Sequence, residues 1–191
     1  NHLIRSALLS KLKNPRFAYI APTFKQAKSI AWDYMKQFTD KIPYIKFNET
    51  ELRVDLPNGA RITLLGSDSP DGLRGIYLDG CVIDEYANVN SKLFPEIIRP
   101  ALSDRKGYCV FIGTPAGMNN NFYELYQHAN GAEDWFNYKA KASETKIVDE
   151  DELVKAKEVM GEKKYNQEFE CDWIANIEGA VFGDVIGKLD D

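Results

Sequence analysis

Residues 79–85 read Asp79-Gly80-Cys81-Val82-Ile83-Asp84-Glu85, a short apolar run that ends in two adjacent carboxylates. A second apolar run, Tyr108-Cys109-Val110-Phe111-Ile112, ends in Gly113-Thr114-Pro115. Both are strand-sized and nearly continuous in apolar residues, as strands covered on two faces require, and the segment between them is long enough for a crossover helix. A strand ending in Asp-Glu delivers its carboxylates to the carboxyl edge of a parallel sheet, where open α/β proteins hold ligands. Two negative charges that close repel each other, which implies a nearby cation: a metal with its phosphate load. Taken alone, the acid pair reads equally well as a helix cap, because strand ends commonly carry acids. Taken alone, Gly-Thr-Pro reads as a strand-ending turn.

Outward from this pair, strands and helices alternate. Arg16 to Ala21 reads as a buried strand closed by Pro22, and Thr23-x-x-Gln26 is a capping box. Ala27, Ile30, Ala31, Tyr34 and Phe38 then share one face of an ideal helix. Before the strand, Leu3, Ile4, Ala7, Leu8 and Leu12 share a helical face with no capping residue ahead of them, which predicts a missing N-terminus.

Residues 52–64 predict a β-hairpin. With Pro57-Asn58-Gly59 as a three-residue loop, Leu56 falls opposite Ala60, Val54 opposite Ile62, and Leu52 opposite Leu64. Every apolar residue then shares one face, and Asp55 pairs with Arg61 on the other. Gly59 takes the left-handed position of the turn.

Gly66 to Gly72 is a turn-rich loop leading through Leu73-Arg74-Gly75 to the acid-ending strand. Ser91 is placed to cap a helix carrying Phe94, Ile97 and Ile98. Asn119 to Asn121 opens a helix with Phe122, Leu125, Tyr126 and Ala129. Phe136, Tyr138, Ala140 and Ala142 alternate with polar residues and predict a strand. Helices over about 150–160 and 162–171 lead into Gly179-Ala180-Val181-Phe182 and a small-residue tail. The three apolar runs ending at Ala21, Asp84 and Gly113 are predicted to be central in a mainly parallel α/β sheet flanked by helices. The hairpin at about 52–64 is predicted to lie at an edge or to pack across one.

Composition sets the class. At 44% hydrophobic and 28% charged residues the chain is an ordinary globular sequence, with no apolar run of membrane-spanning length and no signal peptide. A formal charge of −5 counts against the whole surface being a nucleic-acid glove, while leaving local basic contacts open. Lys11, Lys13 and Arg16 form one such cluster, Lys36, Lys41 and Lys46 another, and Lys139 and Lys141 a third on one predicted strand face. Cys81, Cys109 and Cys171 stand alone in apolar contexts and read as small core hydrophobes of a reducing compartment, not as a disulfide or metal set. His2 and His128 lack ligand spacing.

The two acid-and-turn strand ends resemble the Walker B strand and the downstream sensor or coupling strand of a P-loop ATPase. No G-x-x-x-x-G-K-[ST] occurs in the chain, so the phosphate cradle and its lysine are absent. Further motifs narrow the resemblance: Ala21-Pro22-Thr23, the Ser67–Gly75 loop with its Leu-Arg-Gly, CVIDE at 81–85, FIGTP at 111–115, and Tyr165-Asn166-Gln167-Glu168-Phe169-Glu170. In this order and spacing they resemble the large terminase subunit of tailed bacteriophages, over about residues 15–183. The resemblance implies a P-loop NTPase fold (ASCE, RecA-like) and an ATP-driven motor that moves double-stranded viral DNA into a procapsid. It implies that residues 1–178 are an ATPase domain lacking its first strand and phosphate loop, inactive alone. It also implies that 179–191 begin a linker towards a nuclease domain outside this chain.

Carried over residue by residue, Asp84 corresponds to the acid that holds Mg²⁺ and the nucleotide, and Glu85 to the catalytic glutamate. Thr114 corresponds to the coupling motif, and Arg74 to the arginine finger that a neighbouring subunit offers to ATP. Implied partners are double-stranded DNA, the portal protein and procapsid, the small terminase subunit, and further copies in a homo-oligomeric ring. The place of action is the host cytoplasm, at the procapsid portal, with no membrane. Lys36, Lys41 and Lys46 lie near the segment that faces nucleic acid in related motors. Two other classes share part of the pattern. Superfamily-two helicases have the Ala-Pro-Thr strand end and an acid pair, but usually continue with Ala-His and Ser-Ala-Thr where this chain has Tyr86-Ala87 and Gly113-Thr114-Pro115. A non-enzymatic α/β scaffold would use the acid pair only as a cap.

Overall fold

In the computed structural model, which describes residues 1–68 and 73–174, six strands join one sheet. They are β1 (Arg16–Ala21), β2 (Lys46–Asn48), β3 (Arg53–Asp55), β4 (Arg61–Gly66), β5 (Gly80–Ile83) and β6 (Tyr108–Phe111). Their order is β2-β3-β4-β1-β5-β6, with β4, β1, β5 and β6 parallel and β2 and β3 antiparallel to their neighbours. The sheet belongs to a first unit, Asn1–Gly113, and a second unit begins at Thr114.

The hairpin register is the expected one: Val54 faces Ile62, Asp55 faces Arg61, and the Leu56 amide donates to the Ala60 carbonyl at 2.8 Å. Gly59 has φ +82°, and Leu52, Val54, Leu56, Ala60, Ile62 and Leu64 are all buried. On the opposite face Arg61 Nε donates to Asp55 Oδ1 at 2.6 Å. The hairpin is not itself the sheet edge. Its second strand, β4, pairs in parallel with β1, and a short strand unseen in the sequence pattern, β2, covers β3. At three residues β2 is too short to show a period. Its Lys46 gives that edge a charge, a common defence against further strand addition.

Parallel β1 and β5 are central as expected, but β6 lies at the other edge, paired with β5 alone among the described residues. Helices cover both faces. On one, α1 (His2–Leu9) buries Leu3, Ile4 and Ala7 in the cluster that holds Phe17, Ile62 and Leu64. That helix stops before Ser10, so Leu8 and Leu12 are exposed and do not extend the buried face. On the other, the Phe94 ring packs edge-on against Phe111 at 4.7 Å.

The segment after β1 corrects the helical-face expectation. It comprises α2 (Phe24–Ala27), a π-helical turn (Lys28–Trp32) and α3 (Asp33–Thr39). A π-helical turn holds about one residue more than an α-turn and rotates every later side chain. Ala27, Trp32, Met35 and Thr39 are therefore the buried set, while Ile30, Tyr34 and Phe38 are 40%, 60% and 49% exposed. Trp32 is fixed there by Phe47 of β2, edge-on at 6.1 Å, and by donating Nε1–H to Glu49 at 2.6 Å. A second π-helical turn, Phe94–Ile98, runs into α4 (Arg99–Ser103), and Asn90, not Ser91, receives the local amide, from Lys92 at 3.0 Å.

At the amino edge of the sheet, Asp79 ties three strands together. Its Oδ2 accepts from the Arg16 amide at 2.7 Å, its Oδ1 from Arg105 Nε at 2.6 Å, and its carbonyl from the Tyr108 amide at 3.4 Å. The carboxylate is only 3% exposed. Arg105 is about a quarter exposed and keeps the Lys13 carbonyl and the Tyr77 ring, so Asp79→Ala chiefly removes the buried acceptor of the Arg16 amide and is expected to cost about 2 kcal/mol of unfolding free energy. Chemical denaturation of the variant against wild type measures it; a loss below about 1 kcal/mol, the range of a surface pair, would refute the assignment.

In the second unit, α5 (Asn121–Ala129) is capped by the Asn120 side chain, which accepts from the Phe122 and Tyr123 amides. α6 (Ala142–Thr145), α7 (Glu150–Met160) and α8 (Glu162–Phe169) follow. Trp173 is buried among Phe122, Tyr123 and Tyr126, with ring centroids 5.3 to 5.4 Å away. The expected strand at 136–142 is absent. Among the described residues no strand pairs with it, and alternation alone cannot supply a neighbouring strand. Phe136 and Tyr138 are accordingly 87% and 69% exposed. Lys139 lies over the Tyr126 ring and Lys141 pairs with Glu144, so they do not share a strand face. The 179–182 run, the rest of the tail to residue 191 and part of the 66–72 loop lie outside the described residues.

Candidate active site

Two of the predicted residues, Asp84 and Glu85, lie at the carboxyl edge of the parallel strands. β1 ends at Ala21, and the chain turns through Pro22 into a capped helix: Thr23 Oγ1 accepts from the Gln26 amide at 3.1 Å and donates to Gln26 Oε1 at 2.9 Å. Gln26 thus meets the threonine hydroxyl, where a full capping box would have it meet the backbone amide. β4 ends at Gly66 because the turn into α2 passes against it; a Cβ there would collide with the Phe24 nitrogen. Ser67 and Asp68 bind that same turn, Ser67 Oγ donating to the Pro22 carbonyl at 2.8 Å and Asp68 Oδ1 accepting from the Phe24 amide at 3.2 Å.

Asp84 extends β5 by one residue, its amide donating to the Ile20 carbonyl of β1 at 2.8 Å. Its Oδ1 accepts from the Glu85 amide at 2.9 Å, and its Oδ2 accepts from the Tyr19 hydroxyl. The tyrosine pKa is pushed far above its ordinary value, first by burial, then by the hydrogen bond to Asp84 and the charges of Asp84 and Glu85. The hydroxyl therefore stays protonated and donates.

Glu85 takes the left-handed conformation, φ 47° and ψ 45°, at the start of the short 3₁₀ helix Tyr86–Asn88. Its carbonyl accepts from the Asn88 amide at 2.8 Å, but its side chain makes no capping bond. A glutamate used as a cap would place its carboxylate on those amides. This one is half-buried beside Asp84 and is not spent on the helix. The β6 side is anchored by Ile112, which donates to Ile83 and accepts from Tyr86, each at 3.0 Å.

The other predicted residues are placed differently. Arg74 follows buried Leu73 and precedes Gly75 at φ +80°, and its guanidinium lies 3.9 Å from Glu96. Thr114 is exposed at the start of the second unit. Next to it, the Pro115 carbonyl accepts from buried Gln167 Nε2 at 2.7 Å, which joins the Gly-Thr-Pro run to the Tyr-Asn-Gln-Glu-Phe-Glu helix. Lys36 is committed locally, to Asp33, Glu49 and the Trp32 ring. Cys81 and Cys109 face each other across β5 and β6 with their sulfurs 3.3 Å apart, so they do not stand alone. Burial drives the Cys109 thiol well above its ordinary range. Cys171 is only half-buried. Among the described residues no helix is long and apolar enough to cross a membrane.

Tyr19, Asp79 and Gln167 carry much of this geometry, yet the sequence assigns Tyr19 and Asp79 no role and Gln167 none beyond its place in the motif at 165–170. A pairing between β1 and β5 is legible only once the strand order is known, and Gln167 lies within a polar-looking helix.

Known proteins share this architecture. The large terminase ATPase domain of Thermus phage P74-26 superposes with a TM-score of 0.73 at 21% identity, covering 88% of this chain and 80% of that one. The large terminase of another thermophilic bacteriophage, solved in complex with ATP-gamma-S, gives a TM-score of 0.71 at 13% identity over 90% of this chain and 42% of its own. The fold is that of the large terminase ATPase domains, a P-loop NTPase sheet. In sequence, the terminase large subunit of Thermus phage G20c is 31% identical over 126 residues, 56% of this chain and 26% of that protein. The chain thus spans about a quarter of the length of the curated relatives it matches. The family model of the terminase large subunit, T4-like-virus type, N-terminal region, matches residues 4–183, and the chain belongs to that family.

Proposed function

We propose that this chain is the ATPase motor region of a phage terminase large subunit, coupling ATP hydrolysis to translocation of double-stranded viral DNA into a procapsid. The observation that carries this reading is the acid pair Asp84–Glu85 at the carboxyl end of β5, between parallel β1 and β6, in a member of this family. Family membership sets the helicase alternative aside.

The donor set suits Mg²⁺. The acid pair offers carboxylate oxygens, one of them on Asp84 accepting from the Tyr19 hydroxyl, and among the described residues no group of three or more His, Cys, Asp or Glu could hold a metal by itself. Mg²⁺ typically keeps its waters and takes one or two carboxylates together with phosphate oxygens. When bound, it neutralises charge on the β- and γ-phosphates. In our reading Asp84 holds it. Glu85 orients the attacking water and takes its proton as the water oxygen bonds to the γ-phosphorus, and ADP leaves. Arg74 is offered to a neighbouring subunit's nucleotide, where its charge stabilises the transition state. Thr114, tied through Pro115 to the Gln167 helix, relays the loss of the γ-phosphate.

We assign the phosphate loop to a strand and turn ahead of residue 1, within the larger protein. Support comes from β6: Tyr-Cys-Val-Phe is an apolar strand that lies at an edge among the described residues, where edge strands normally carry charge or proline. A further parallel strand there would cover it. Residues 1–178 would then complete an ATPase domain, 179–191 would lead towards a nuclease domain, and the stretch alone would hydrolyse ATP poorly. We further assign it to a homo-oligomeric ring at the procapsid portal in the host cytoplasm, working with the portal protein and the small terminase subunit.

The test uses the full-length protein. Asp84→Ala is expected to lower nucleotide affinity about 10-fold or more with Mg²⁺ present and little without it, by calorimetric titration. Equal Mg²⁺-dependent affinity in variant and wild type would remove Asp84 from the metal site.

A further inference from the structure

Tyr19 stands on β1 opposite Val82 of β5, on the face that turns towards Leu64. Asp84 lies two residues beyond Val82 on that same face, a diagonal step that a long aromatic side chain can cross. The Tyr19 hydroxyl makes that crossing and donates to Asp84 Oδ2. The second oxygen, Oδ1, is held from the other direction by the Glu85 amide at 2.9 Å. Both carboxylate oxygens therefore have a donor from the protein, and each keeps acceptor capacity for a water or a cation.

The ring and the hydroxyl have separable jobs. The ring packs partly buried against the core cluster, a space that phenylalanine fills equally well. Packing does not require the hydroxyl. Held by the Glu85 amide alone, the carboxylate has more freedom to turn, because its terminal torsion is broad and roughly two-fold. We infer that Tyr19 is a positioning residue that locks the Asp84 carboxylate in the orientation that receives Mg²⁺-nucleotide. The inference rests on the reading of Asp84 as the metal-holding acid. The assignment is to the phenolic hydroxyl: it acts through Asp84 and touches neither nucleotide nor metal itself.

Hydrogen-bond partners of metal-binding carboxylates typically alter metal affinity or activity ~10- to 100-fold when removed. In the full-length protein, Tyr19→Phe is expected to raise the Mg²⁺ concentration for half-maximal binding of a fluorescent ADP about 10-fold. The Mg²⁺ midpoint of the ATPase should move in parallel, and turnover at saturating Mg²⁺ should stay within about twofold of wild type, because no reacting group is lost. The thermal midpoint in Mg²⁺-free buffer should stay unchanged. An unmoved Mg²⁺ midpoint overturns the inference, whatever happens to turnover. So does a raised Mg²⁺ midpoint accompanied by a lowered thermal midpoint, which is the signature of a merely structural tyrosine. Asp84→Asn, run in parallel, separates the two readings. If it too leaves the Mg²⁺ midpoint unmoved, the assignment of Asp84 itself fails; if it shifts the midpoint while Tyr19→Phe does not, only the role of Tyr19 fails.

Discussion

Glu85→Ala in the full-length protein is expected to lower the steady-state ATPase rate by about 10³-fold while leaving affinity for Mg²⁺-ADP within about twofold of wild type. A base that acts on the attacking water contributes in the transition state and little to ground-state binding, so the loss falls on turnover. The geometry supports this division. Asp84 is engaged by two donors, whereas the Glu85 side chain makes no capping bond with the helix it precedes. Were Glu85 only a structural cap, its removal would instead lower the unfolding midpoint and leave turnover nearly intact. Steady-state rates, equilibrium ADP binding and a thermal melt on the same preparation decide between the two.

Arg74→Ala is expected to abolish assembly-stimulated hydrolysis, a loss of about 10³-fold, equivalent to about 4 kcal/mol of transition-state stabilisation. It should spare the fold, because Arg74 is in an exposed turn before a left-handed glycine and its Glu96 contact of 3.9 Å is solvent-screened. A finger that works across a subunit boundary has a diagnostic behaviour in mixtures. Arg74→Ala and Glu85→Ala proteins, each inactive, form some junctions in a mixed ring where an intact arginine meets an intact glutamate. Partial recovery of ATPase in that mixture is the expected result. No recovery in rings shown to be mixed would confine Arg74 to its own subunit or remove it from the reaction.

The strand ends and the hairpin register were legible in the sequence because they rest on local rules. Val54 opposite Ile62 follows from the period of two and from the demand of Gly59 for a left-handed turn. Asp84 and Glu85 could be placed at a sheet edge because an apolar run leads straight into them. What could not be read depends on departures from ideal periods or on strands far apart in sequence. The π-helical turn at Lys28–Trp32 exchanges Tyr34 and Phe38 for Trp32 and Met35 in the core, and no composition rule announces such a turn. The alternation at 136–142 meets no partner strand among the described residues. Tyr19 looks like any strand tyrosine until β5 is known to lie beside β1.

The backbone of Glu85 has a consequence for how such a protein tolerates change. Glutamate in the left-handed region is disfavoured by about 1 kcal/mol or more relative to glycine, which adopts it without steric cost. If Glu85 is the catalytic glutamate proposed above, the position sets heat resistance against turnover. A library screened for thermal tolerance alone should enrich glycine or asparagine there, and each enriched clone is expected to carry a sturdier fold and, on the proposed role of Glu85, to lose ATPase turnover. On that role, stability-guided redesign of this domain would need to hold that one residue fixed, since the backbone there favours residues that the proposed chemistry could not use.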